Sequence, residues 1–117
     1  ISEYHLKVGE MMTEELLTLG LLTSKEVKNQ DPKWPAYKKY FMHGTSHHLG
    51  LDVHDVAIAN KKVAAGMVFT VEPGIYLPEE GFGVRLEDDI LIAENGNINL
   101  MEDIPIEIDE IENLMNH

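Results

Sequence analysis

The hydrophobic pattern of this chain changes period once, at Gly66, and that change limits the folds open to it. Before it, Tyr4, Val8, Met11, Met12, Leu16 and Leu19 recur at three- and four-residue steps with Glu10, Glu14 and Glu15 between them, the spacing of an amphipathic helix. Gly20 is expected to end that helix. Thr23, with Glu26 three places on, forms a capping box that opens a short helix from Ser24 to Asn29, stopped before Asp31 and Pro32. Pro32 to Pro35, with Trp34, reads as a turn, and Ala36 to Tyr40 as one more helical turn. After Gly66, Met67 to Tyr76 and Val84 to Ala93 are rich in β-branched and aromatic residues. The segment between them carries Pro78, Gly81 and Gly83, so an antiparallel hairpin is the simplest connection. Asn95, Gly96 and Asn97 predict a turn before a strand from Ile98 to Met101, and Asp109 is the expected cap of a last helix, Glu110 to Asn116. Helices first and strands afterwards predict an α+β fold, with helices packed on an antiparallel sheet.

The 117 residues allow one domain at most, able to withdraw roughly two thirds of the unfolded surface from water. The chain begins without methionine, in what reads as mid-helix, as a fragment of a longer polypeptide would. A net charge of -12, from 21 acidic and 9 basic residues, argues against nucleic acid and against an anionic membrane as partners. There is no cysteine, which excludes disulfides and thiolate nucleophiles and leaves His, Asp and Glu as the strong metal ligands. No apolar run is long enough to cross a bilayer and no signal peptide is visible, so a soluble, cytoplasmic chain is expected.

The candidate chemistry sits in three segments. His43 to Asp55, reading HGTSHHLGLDVHD, holds His43, His47 and His54 at spacings of four and seven, with Gly44 and Gly50 to bend the backbone so that imidazoles can converge. Periodicity does not choose between His47 and its neighbour His48. Glu72 shares a strand face with Val68 and Thr70, and Pro73 holds it extended. On the next strand Arg85, Glu87 and Asp89 share one face, opposite the apolar Val84, Leu86 and Ile90, and Arg85 is the obvious ion partner of Glu87. Two inward carboxylates on adjoining strands repel unless a cation or a shared proton lies between them. Imidazole nitrogen and carboxylate oxygen together are a divalent-metal donor set suited to hydrolysis. His5 and His117 read as ordinary surface or hydrogen-bonded histidines.

The HGTSHHLGLDVHD stretch, then VEPGIY at Val71 to Tyr76, then VRLEDD at Val84 to Asp89, resembles in order and spacing the three C-terminal motifs of the aminopeptidase P and prolidase family. Ser46 leans toward Xaa-Pro aminopeptidase rather than prolidase. The resemblance covers the chain from about His43 onward, and the first forty residues carry no motif. Methionine aminopeptidases share the fold but have a shorter, different histidine segment.

The resemblance implies the C-terminal half of a pita-bread catalytic domain, residues 1–117 being an incomplete portion whose upstream half is absent. It also implies two divalent ions, usually manganese. His47, Glu72 and Glu87 would be metal ligands, and Glu72 would also be the general base or acid. His43 and His54 would line the substrate pocket and act in catalysis, His54 on the tetrahedral intermediate. Arg85 would stand behind a ligand carboxylate and contribute to substrate binding. The implied reaction is hydrolysis of the bond between an N-terminal residue and a following proline, in peptides with proline second. His48 stands where the family often has an aromatic residue. Two aspartates of the family's site have no counterpart here, so the isolated chain is predicted to be inactive and to bind metal weakly, while its parent is active. A prolidase and a non-catalytic pita-bread binding module are the alternatives. A metal-free creatinase-like reaction is disfavoured by the joint presence of His47, Glu72 and Glu87. The missing half of the domain is the expected partner, and self-association of the exposed apolar surface would give a homo-oligomer.

Overall fold

The computed structural model describes residues 2–57 and 61–116. In chain order its elements are α1 (Ser2–Thr18), α2 (Ser24–Lys28), a 3-10 turn (Ala36–Lys39), β1 (His48–Leu49), β2 (Val68–Val71), β3 (Gly74–Leu77), β4 (Phe82–Arg85), β5 (Asp88–Ala93), β6 (Gly96–Asn99) and α3 (Ile108–Met115). They fall into two compact units, Ile1–Ser46 with Glu72–Arg85, and His47–Val71 with Leu86–His117.

In the first unit the expected amphipathic helix forms and buries Gly9 and Leu16. The bare α-carbon of Gly9 lets the Tyr37 ring lie against α1, since a β-carbon there would come within 2.7 Å of that ring. Gly20 ends the helix in the left-handed region, at φ 72°, where a glycine has no β-carbon to clash. The amides of Leu21 and Leu22 then fold back onto the Leu16 carbonyl at 2.9 and 3.1 Å. The capping box opens α2 as predicted, with Thr23 and Glu26 bonded in both directions. Leu16, Leu22 and Tyr40 form the buried cluster, and Ile75 and Leu77 of β3 pack on it. Complete burial of Leu16 alone is worth about 2 kcal/mol. Helices thus pack on an antiparallel ladder, β3 with β4, in which Gly74 faces Arg85 and Leu77 faces Phe82.

The second unit holds a four-stranded antiparallel sheet in the order β1-β2-β5-β6. Phe69 and Thr70 are its buried residues on β2, at 7% and 2% exposure.

Four local expectations are corrected. The strands read as Met67 to Tyr76 and Val84 to Ala93 are each broken, into β2 and β3 and into β4 and β5. Pro73 has no amide proton to give a ladder, and the Glu72 amide bonds the Thr45 carbonyl at 2.8 Å instead. Val84 and Leu86, the apolar face of the second segment, are 60% and 53% exposed. The last hairpin turns at Glu94 and Asn95, so β6 starts at Gly96 rather than Ile98; Gly96 takes a φ of 134° that the tight connection needs. Finally, α3 begins at Ile108 with Glu107 at its cap position and no side-chain cap bond. Asp109 lies inside the first turn, where its charge complements the helix dipole.

Candidate metal and substrate site

In the second unit His47 is seated by reciprocal bonds to β2. Its backbone N–H donates to Thr70 Oγ1 at 3.2 Å, and the Thr70 N–H donates to the His47 carbonyl at 3.1 Å. Its ring Nδ1 lies 2.9 Å from the His48 carbonyl. A carbonyl only accepts, so the neutral ring carries its proton on Nδ1 and its lone pair on Nε2, the arrangement in which an imidazole can ligate a cation. The His54 ring meets the His47 ring edge-on, with centroids 4.2 Å apart at 85°. A ring nitrogen of His47 and a carboxylate oxygen of Glu87 lie within 4.8 Å of each other. The neighbouring His48 ring lies on Phe69, centroids 4.3 Å apart.

The burial expected of the carboxylates holds for one of them. Glu72, in the first unit, has a side chain only 14% exposed, whereas Glu87 is exposed. Within the first unit Arg85 Nη1 stands 3.9 Å from Glu72 Oε2. With Arg85 half exposed, such an ion pair adds about 1 kcal/mol or less to stability, and its value lies in orientation.

Also in the first unit, both ring nitrogens of His43 are engaged. Nδ1 is 2.8 Å from the Gly44 carbonyl and Nε2 is 2.8 Å from the Tyr76 hydroxyl. Phe41 and Tyr76 present ring edges to it, at centroid distances of 4.9 and 5.4 Å. His5 is half-buried beside Gly44, and burial holds its imidazole below the ordinary histidine range. His117 lies outside the described residues.

Tyr76 and Thr70 were not singled out by sequence reasoning. Tyr76 could have been found, because a tyrosine in a half-buried strand needs a partner for its hydroxyl. The His48 carbonyl that orients His47 leaves no mark in side-chain chemistry.

The profile of metallopeptidase family M24 matches residues 1–94. The Xaa-Pro aminopeptidase of Haemophilus influenzae is 43% identical, over 94% of this chain and 28% of its own. That of Escherichia coli is 42% identical, over 93% and 27%. Among solved structures, a putative aminopeptidase P from Bacillus anthracis superposes with a TM-score of 0.81 at 38% identity, covering 98% of this chain and 26% of that one. A zinc-substituted E. coli aminopeptidase P in complex with product gives 0.77 at 41%, covering 93% and 27%. The chain therefore spans about a quarter of the length of the relatives it matches. It shares their pita-bread α+β fold, as its motifs led us to expect. With sequence, fold and motif order in agreement, the chain belongs to metallopeptidase family M24.

Proposed function

We propose that this chain is the C-terminal portion of a dinuclear Xaa-Pro aminopeptidase catalytic domain, with manganese as the expected metal and the cytoplasm as the expected compartment. The observation that carries the reading is that, in the second unit, a ring nitrogen of His47 and a carboxylate oxygen of Glu87 lie within 4.8 Å of each other, with His47 seated by Thr70. In the first unit the largely buried carboxylate of Glu72 is paired with Arg85. His47, Glu72 and Glu87 are thus the donors that would hold a divalent ion, a nitrogen and two carboxylates as the chemistry requires.

When bound, the ion supplies a water of lowered pKa and polarises the scissile carbonyl. The residues of this chain do the remainder. Glu72, oriented by Arg85, takes the proton of the attacking water and delivers it to the leaving proline nitrogen. The exposed imidazole of His54 donates to the developing oxyanion. His43, held by Tyr76, forms part of the wall against which the proline ring packs. The substrates proposed are peptides with proline second. The missing upstream half of the domain is the proposed partner, and association between copies remains part of the reading.

The test uses the longer protein containing this sequence, loaded with Mn2+, and a peptide with proline second and a residue after it. Turnover that falls by at least about a hundredfold in each of His47→Ala, Glu72→Gln and Glu87→Gln supports the reading. Cleavage of the Xaa-Pro dipeptide alone would move it to a prolidase, and undiminished turnover in any one variant would overturn the ligand set. This chain by itself is expected to show none, and Mn2+ should broaden the His47 ring resonances more than those of His5.

A further inference from the structure

We propose that Gly50 and Asp55 form a positioning clasp that sets the orientation of both His47 and His54. The His48 carbonyl is its hub. It accepts from His47 Nδ1 at 2.9 Å and from the Asp55 amide at 3.1 Å, one donor for each lone pair. The first bond fixes the proton of the neutral His47 ring on Nδ1. The second closes the loop that carries His54 back onto β1, bringing the His54 and His47 ring centroids to 4.2 Å.

Hydrophobic burial does not hold this loop in shape, since Leu51 is fully exposed and Val53 is 70% exposed. Two polar features do. The Gly50 amide donates to the Asp52 carbonyl at 3.2 Å, and the Asp55 carboxylate folds over Gly50 while accepting from the Val56 amide at 2.8 Å. A β-carbon at Gly50 would coincide with that carboxylate. Gly50 does not have a positive φ, so glycine is required here for room and not for backbone freedom. Gly50 leaves the space, Asp55 fills it, the Asp55 amide reaches His48, and the His48 carbonyl holds His47. The consequence for catalysis rests on the proposed role of His47 as a metal ligand, because outer partners of this kind aim the ligating nitrogen.

The clasp is tested on the metal-free chain by NMR of the histidine rings at one mildly alkaline pH. The unaltered chain should show His47 chiefly as the Nδ1–H tautomer, with ring-to-ring cross-relaxation to His54. Gly50→Ala should lose that cross-relaxation and shift the tautomer ratio by about fivefold, the effect of weakening one neutral hydrogen bond, while the amide pattern of β2 and β5 persists. Asp55→Ala, which empties the space over Gly50 and removes the acceptor of the Val56 amide, should lose the cross-relaxation in the same way. An unchanged His47 and His54 pair in Gly50→Ala overturns the proposal. So does an unchanged pair in Asp55→Ala, which also decides the matter if Gly50→Ala alone does not fold. These signals are read without metal, so they succeed or fail separately from Mn2+ binding by His47.

Discussion

The Tyr76 hydroxyl donates to His43 Nε2 at 2.8 Å while the other nitrogen of the ring faces the Gly44 carbonyl at the same distance. The carbonyl dictates which nitrogen carries the proton of the neutral ring, and the tyrosine is the donor that matches what is left. His43 is thereby a fixed, hydrogen-bonded ring with its edges against Phe41 and Tyr76. This geometry suits a wall of the site better than a proton carrier.

Tyr76→Phe keeps the ring and removes only the donor. We expect stability to fall by about 1 kcal/mol, the worth of a typical neutral hydrogen bond, seen as a lower urea midpoint with an unchanged slope. The His43 ring nitrogens should at the same time move toward averaged tautomer shifts. An unaltered His43 nitrogen spectrum would mean that the contact does not set the tautomer.

Much of this arrangement was legible in the residues, and what was not has physical reasons. The Thr23 and Glu26 capping box, the stop at Gly20 and the turn around Trp34 depend on chemistry within a few residues, and each appeared where expected. The breaks at Glu72 and Leu86 did not, because the Glu72 amide turns to a distant carbonyl, that of Thr45, which no local pattern reveals. Spacing does not choose between His47 and His48, and their different settings, His48 on Phe69 and His47 against His54, come from packing that no local pattern reveals. The motif order identified the family, but the position of Arg85 against Glu72 follows from cross-strand geometry that sequence distance disguises.

Glu26 makes a pH prediction with a definite sign. The Thr23 hydroxyl and then the Thr23 amide bond its carboxylate, and these bonds hold its pKa below the ordinary glutamate value. The folded chain therefore binds this proton less readily than the unfolded chain. Its contribution is fully present above the unfolded glutamate value and is lost as pH falls through the lower folded value. The stability difference between the unaltered chain and Glu26→Gln should be constant at neutral pH and shrink across that acidic window. A difference that grows on acidification would reverse the assignment. Thr23→Ala, which removes the first of the two bonds, should bring the Glu26 titration back toward its ordinary range.

Gly83 is expected to be the least replaceable glycine of the β3 and β4 ladder. It lies directly opposite Tyr76, and a β-carbon there would stand 2.5 Å from Tyr76 Cδ1 and 3.1 Å from the Ile75 carbonyl oxygen. The ring could swing aside, but the carbonyl belongs to the ladder and cannot, so Gly83→Ala should cost about 1–3 kcal/mol, the range for overpacking. The swing has a second consequence, because moving the ring draws the hydroxyl away from His43 and should reproduce the tautomer averaging of Tyr76→Phe. Phe82→Ala is the control: its side chain is 54% exposed on the same strand, and its effect should stay within about 0.5 kcal/mol. Urea unfolding with nitrogen NMR of His43 reads both effects in one set of samples. A Gly83→Ala chain of unaltered stability, with His43 still a single tautomer, would show that the Tyr76 ring does not depend on the space above Gly83.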